Sequence, residues 1–312
     1  MPERIIQTSG LTKIYGEVTA VDQLNLEVNE GEIFGFLGPN GSGKTTTILM
    51  LMGLTTPTSG TGRVGGYDII KNSRDVRRIA GCLPEAAGYY EDLTAKENLD
   101  YFGQLADLPR VKREKRVNEL LEFVGLGKWR DVKVEKFSRG MKQRLGIAQA
   151  LIKDPKIIFL DEPTIGLDPQ GTKEVRDLIL RLNREQKLTV FLSSHLLHEV
   201  QRTCSRVGII RQGKLIATDT IENLSRGIAK EEGYCVEFEL DKVTRRLIEE
   251  IKTVKGVTSV EEEGGKLLVY MERDNRADVS RAITKYGATI LLMKPREYTL
   301  EEIFLRYYKG AG

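Results

Sequence analysis

A layered α/β domain followed by a small α+β domain is the fold class the sequence predicts, and three observations predict it. Strand-like apolar runs alternate with helical stretches over residues 1–228, the pattern of a sheet covered by helices. A glycine-rich segment, GPNGSGKT at Gly38–Thr45, follows one such run and leads directly into a helical stretch. A polar, glycine-punctuated segment, SRGIAKEEG at Ser225–Gly233, then separates this pattern from a second, shorter one. With 312 residues the chain is long enough for both domains.

In chain order, the apolar runs Glu32–Leu37, Lys156–Leu160, Leu188–Leu192 and Val207–Arg211 read as buried strands. Leu93–Leu99, LTAKENL, places Thr94 three residues before Glu97, the spacing of a capping box, and so opens a helical subdomain within about residues 86–150. Residues 229–312 read as a separate domain. Tyr234–Leu240 alternates like a strand, and Asp241–Lys252 is spaced like a helix. Val257–Glu263 and Lys266–Glu272 form a hairpin through Gly264 and Gly265. A helix over Asn275–Tyr286 and a strand over Ala288–Met293 complete the order βαββαβ, the ferredoxin-like split motif, and Leu300–Tyr308 adds a short amphipathic helix.

Bulk composition narrows the function classes. Apolar residues at 40% and charged residues at 30% describe an ordinary globular protein. The 48 basic against 45 acidic residues leave a net charge of +3, which gives no electrostatic ground for a nucleic-acid or anionic-lipid partner. Cys82, Cys204 and Cys235 are widely spaced, without the CxxC pattern of a metal or redox site. The N-terminal MPERIIQTSG lacks an apolar signal core, and no stretch approaches the roughly 18 apolar residues of a membrane span. A role at a membrane would therefore run through a partner.

The glycine-rich segment fits G-x-x-x-x-G-K-[ST] in the strand–loop–helix setting that this motif requires. Glycines 38, 41 and 43 let backbone N–H groups turn toward phosphate oxygens, Lys44 reaches the β- and γ-phosphates, and Thr45 is a candidate Mg²⁺ ligand. Asn40, Ser42 and Thr46 complete the candidate phosphate-binding set. KIIFLDE at Lys156–Glu162 delivers two carboxylates to a strand end, where open α/β sheets gather ligands. Asp161 is suited to Mg²⁺, and Glu162 to activating a water. This is the outline of a P-loop NTPase.

The remaining landmarks make the chain resemble the ATP-binding-cassette (ABC) family over residues 1 to about 225. FSRGMKQR at Phe137–Arg144 is similar to that family's LSGGQ signature, GLDP at Gly166–Pro169 to its D-loop, and Ser194-His195 to its switch histidine. The resemblance implies that Ser138 and Gly140 contact ATP held by a second copy of the cassette. It also implies that Asp168 lies across that interface, that His195 meets the γ-phosphate, and that Tyr15 of LTKIYG stacks on adenine; the lesser alternative for Tyr15 is a strand-edge residue packed in the core. Arg139 departs from the usual glycine, and Met141 and Lys142 stand before Gln143, while Ser138 and Gly140 are retained. Glu85 stands where many members carry Gln; its carboxylate is also a hard Mg²⁺ ligand, and the variant resembles exporter cassettes.

The resemblance thus implies an ATPase subunit, with ATP and Mg²⁺, paired with a second copy of the cassette as a homodimer and driving a separate integral membrane permease from the inner face of the cell membrane, for export. The Glu85 loop and helical subdomain would receive the permease, with Tyr89 and Tyr90 as either contacts or local packing. A zinc site at His195, His198 and Glu199 lacks HExxH spacing and a third partner. The basic run VKREKR at Val111–Arg116 reads as a solvated helix face. A rival class, cassettes that remodel nucleic acid, is disfavoured by the absence of a second cassette, and KLLVYME lacks the RNP1 pattern of RNA-binding modules. No nucleic-acid partner is expected.

Overall fold

The computed structural model describes residues 3–296 and 298–310. They form two compact units, one running to Thr220 and including the C-terminal segment from Tyr307, the other covering Ile221–Arg306.

The first unit begins with β1 (Arg4–Tyr15), β2 (Val18–Leu24), β3 (Glu27–Asn29), β4 (Ile33–Leu37) and α1 (Lys44–Leu51). There follow β5 (Ser59–Val64), β6 (Tyr67–Asp68), α2 (Ser73–Ile79) and β7 (Ala80–Leu83). Three helices come next, α3 (Ala95–Leu105), α4 (Arg110–Phe123) and α5 (Arg139–Ala150). The unit continues through β8 (Ile157–Asp161), α6 (Pro169–Gln186), β9 (Thr189–Ser194), α7 (Leu197–Thr203), β10 (Arg206–Arg211) and β11 (Lys214–Thr220).

Its strands divide between two sheets. One has the order β11-β10-β4-β9-β8-β7, parallel except for the β10–β11 pair; the other, antiparallel, has the order β2-β1-β5-β6, with β3 also paired to β1. β4, β8 and β9 are buried at every position, which is why they read as unbroken apolar runs and not as alternating ones. Phe34, Phe36, Phe159 and Phe191 interlock, with centroids 5.4–5.7 Å from Phe191. This packing fixes the strand ends that carry the candidate site. The helix α3 starts where the sequence reading put it: Thr94 Oγ1 accepts from Glu97 N at 3.2 Å, and Glu97 Oε2 accepts from Thr94 N at 2.8 Å.

The second unit holds α8 (Ile221–Glu232), β12 (Tyr234–Leu240), α9 (Arg245–Lys252), β13 (Val257–Glu263), β14 (Lys266–Met271), α10 (Arg276–Lys285), β15 (Ile290–Pro295) and the start of α11 (Leu300–Gly310). Its sheet has the order β13-β14-β12-β15, with every neighbouring pair antiparallel. Val236 and Phe238 of β12 pack against Leu247 and Ile251 of α9 and Val279 and Ile283 of α10. Two local differences from the sequence reading have clear causes. The segment read as a linker is largely helical, because Leu224 and Ile228 bury one face of α8. The first helix of the hairpin domain starts at Arg245 and not at Asp241, because Thr244 caps it by accepting from Leu247 N at 3.2 Å. Among the described residues no helix is long and apolar enough to cross a membrane.

Candidate functional site

Parallel register sets the frame. Leu37 of β4 pairs with Ser194 of β9, and Asp161 of β8 pairs with Ser193. The glycine-rich loop, the two carboxylates and His195 therefore leave the sheet at one edge, the carboxyl ends of its strands.

The loop needs its glycines where the backbone is crowded. A Cβ on Gly38 would fall 2.4 Å from Ser42 Oγ and 2.5 Å from the Ile210 carbonyl oxygen. Gly43, the N-cap of α1, has φ of 106° and a Cβ there would meet the Ala20 carbonyl at 2.4 Å. The loop curls around the next side chain: Lys44 Nζ donates to Gly38 O at 2.7 Å and to Pro39 O at 3.3 Å. Glu162 Oε1 lies 3.3 Å from the same ammonium, and both side chains are only 6% exposed. The approach is an ion pair without hydrogen-bond geometry, so Glu162 Oε1 is buried without a hydrogen-bond partner, as is Ser42 Oγ of the loop. Each is a buried polar atom left to be satisfied by something other than this chain, as a polar ligand would do.

The carboxylates are held from both sides. Asp161 accepts from Thr45 Oγ1 at 2.7 Å and from the Ser193 hydroxyl. Glu162 N donates to the Ser193 carbonyl at 3.1 Å, and His195 Nδ1 lies 2.8 Å from Glu162 Oε2. With φ of 50°, Glu162 adopts the left-handed conformation that L residues rarely take, and this turn swings its carboxylate off the strand line toward Lys44 and His195.

Of the residues expected from sequence, Tyr15, Asn40, Gly41, Gly43, Lys44, Thr45, Thr46, Glu85 and Glu162 line one cleft of about 360 Å³. Gly38, Ser42, Asp161 and His195 adjoin it through the contacts above. Sequence reasoning missed Ala20, which also lines the cleft, and Ser193, whose hydroxyl donates to the Asp161 carboxylate and accepts from Glu162 N. Only the cross-strand pairing of Ser193 with Asp161 reveals it, and a single strand carries no such signal.

Ser138, Gly140 and Asp168 do not line this cleft. They form a second patch at the starts of two helices. Ser138 caps α5, its Oγ accepting from Met141 N at 3.2 Å, and Asp168 caps α6, its Oδ1 accepting from Gly171 N at 2.8 Å. A Cβ on Gly140 would come within 3.7 Å of Gly171 Cα, so the two helix starts adjoin. The guanidinium of Arg139 lies over Gly166, where a Cβ would meet Nη1 at 2.4 Å, so the glycine at 166 makes room for that side chain.

Elsewhere, Glu199 is held by Arg176 Nη1 at 3.0 Å and lies 3.3 Å from His198 Nε2, while His195 turns instead to Glu162; among the described residues the three groups considered for zinc do not converge. Tyr89 donates its hydroxyl to the Lys142 carbonyl at 2.7 Å, a packing role, and burial pushes its phenol up in pKa. Tyr90 is exposed and meets Tyr101 edge-on at 4.9 Å. The three cysteines are free thiols.

Comparison with known proteins bears on this geometry. Residues 21–165 match the family model described as ABC transporter. The chain is 38% identical over 307 residues to the bacitracin transport ATP-binding protein BcrA of Bacillus licheniformis, covering 98% of each. It is 33% identical over 305 residues to the linearmycin resistance ATP-binding protein LnrL of Bacillus subtilis, covering 96% of this chain and 97% of that one. Among solved structures, cbiO1 from Clostridium perfringens, part of the ABC transporter complex cbiONQ, superposes with a TM-score of 0.67 at 25% identity, over 73% of this chain and 94% of its own. The dimeric post-hydrolysis ATP-binding cassette MJ0796, bound to ADP and Pi, superposes with a TM-score of 0.62 at 27% identity, over 69% and 98%.

Proposed function

Because this chain belongs to the ABC transporter family, as an ATP-binding ATPase subunit, we propose that it hydrolyses ATP in a head-to-tail pair with a second copy of itself and drives a separate membrane permease. Export is the direction proposed, in keeping with relatives named for bacitracin transport and linearmycin resistance. The permease would hold the subunit at the inner face of the cell membrane, received by the Glu85 loop and the helical subdomain of residues 86–150.

In this reading adenine stacks on Tyr15, and the phosphates rest in the loop Gly38–Thr46 with Lys44 as their principal cation. Ser42 Oγ, buried without a partner, is suited to a phosphate oxygen. Thr45, Asp161 and Glu85 are oxygen donors of the hard kind that suits Mg²⁺, which takes one or two carboxylates together with phosphate oxygens, and the ion would neutralise charge on the phosphates. Glu162 takes a proton from the water that attacks the γ-phosphorus as the bond to the β-phosphate oxygen breaks, and His195, against Glu162 Oε2, orients that carboxylate. A triphosphate would compete with Glu162 for Lys44 and so free the carboxylate for this task.

The observation that carries the proposal is the separation of two half-sites. The loop, Lys44 and Glu162 line one cleft, while Ser138, Gly140 and Asp168 sit together outside it. A serine hydroxyl, a glycine N–H and a helix start are suited to an anion, and a second chain is the natural source of one. Paired closure on ATP and release after hydrolysis supply the two-state element that a motor requires. Turnover measured against protein concentration tests this: the specific rate should fall as the chain is diluted below the pairing threshold. A rate per chain that holds constant on dilution to monomer would overturn the paired site.

For the remainder, we propose a cassette domain and an accessory domain, expected from sequence at residues 1–228 and 229–312; the division of the compact units at Thr220–Ile221 supports a boundary a few residues earlier, ahead of α8. The βαββαβ order and the antiparallel order β13-β14-β12-β15 support a ferredoxin-like accessory domain.

A further inference from the structure

Tyr15 is an unusual base platform because one of its ring faces is engaged by a cation. Lys13 Nζ lies 4.8 Å from the Tyr15 ring centroid. The ammonium is anchored, donating to the Thr56 carbonyl at 2.8 Å, and the intervening Ile14 N donates to Thr58 Oγ1 at 3.0 Å. The segment 56–58 thus tethers the strand end at both residues. Tyr15 is 48% exposed and lines the nucleotide cleft, whereas Lys13 is not among the cleft-lining residues.

An exposed tyrosine at a strand end would ordinarily sample several rotamers, and stacking a base on it would cost that freedom. A fixed ammonium over the ring removes much of the freedom beforehand. We propose that Lys13 is a positioning residue for the nucleobase: held by the Thr56 carbonyl, it occupies one face of the Tyr15 ring and presents the opposite face to the base. The inference rests on Tyr15 acting as the adenine platform. It assigns Lys13 no contact with phosphate, which separates it from a general electrostatic attraction.

Cation–π contacts at exposed sites are worth about 0.5–1 kcal/mol, which corresponds to a roughly two- to fivefold change in affinity. The test is calorimetric binding of ATP and of inorganic tripolyphosphate to the full chain and to Lys13→Met, Lys13→Arg, Tyr15→Leu and the Lys13→Met/Tyr15→Leu double variant. Lys13→Met keeps the aliphatic stem and should weaken ATP about two- to fivefold while leaving tripolyphosphate unchanged. Lys13→Arg should restore wild-type affinity, and in the Tyr15→Leu background removal of the ammonium should have no further effect. Equal weakening of tripolyphosphate, or the same loss with and without Tyr15, would overturn the proposal. So would undiminished ATP affinity in Lys13→Met when Tyr15→Leu binds weakly. If Tyr15→Leu itself binds ATP as tightly as the wild type, the adenine platform fails and the role of Lys13 falls with it.

Discussion

Glu162 concentrates the chemistry at the scale of single residues. Its backbone sits at φ of 50°, a conformation that stores strain, and its two carboxylate oxygens face Lys44 and His195. Glu162→Gln keeps the shape and removes the base, so hydrolysis should fall by roughly 10² to 10⁴ while ATP binding persists. Phosphate release and nucleotide binding, measured side by side, check this, and an unchanged turnover would remove Glu162 from the role. Lys44→Ala acts on binding instead, because it deletes the cation that the loop carbonyls of Gly38 and Pro39 hold in place; nucleotide affinity as strong as the wild type's would count against the phosphate assignment. The thiols give a pH prediction. Burial pushes Cys82 up to about 12 and Cys235 to about 11, and raises Cys204 as well. A raised thiol stays protonated below its pKa, so at pH 8 the folded chain should react slowly with a thiol reagent and all three cysteines should react once denatured. Rapid labelling of Cys204 in the folded chain would contradict its burial.

Elements show which parts of the molecule can be read from one strand of sequence. The capping box at Thr94 and Glu97 is local, three residues apart, and α3 starts from it. Thr94→Ala should lower stability by about 1 kcal/mol through loss of that cap, measured by denaturant unfolding; an unchanged midpoint would mean that the helical subdomain does not depend on it. The hairpin between β13 and β14 was equally legible, since Gly264 and Gly265 both take positive φ, as a two-residue turn demands. The glycine-rich loop and the Asp161–Glu162 pair were legible because each is a continuous segment. Ser193 and Ala20 were not: strand register sets Ser193 beside Asp161, and Ala20 reaches the cleft from β2, far from the glycine-rich loop in sequence. The helix α8 was hidden for another reason. Ser225, Gly227 and Gly233 suggest a loop, but the burial of Leu224 and Ile228 prevails over their local preference. The antiparallel strands β1, β2 and β5 mix buried with exposed positions, and so lack the unbroken apolar signal of β4 and β8.

At the scale of the whole molecule, the proposed mechanism needs one cleft and one separate patch, supplied by different copies of the chain. Ser138, Gly140 and Asp168 are arranged by the starts of α5 and α6, apart from Lys44 and Glu162. A charge and bulk change at Ser138 should therefore spare nucleotide binding by the single chain and disrupt pairing alone. The most direct measurement is sedimentation of the Glu162→Gln chain with and without saturating ATP and Mg²⁺, beside the same chain carrying Ser138→Arg. The account predicts that ATP converts the first from one chain to two and leaves the second as one chain that still binds nucleotide. A Glu162→Gln chain that stays single at saturating ATP, or a Ser138→Arg chain that pairs equally well, would contradict it.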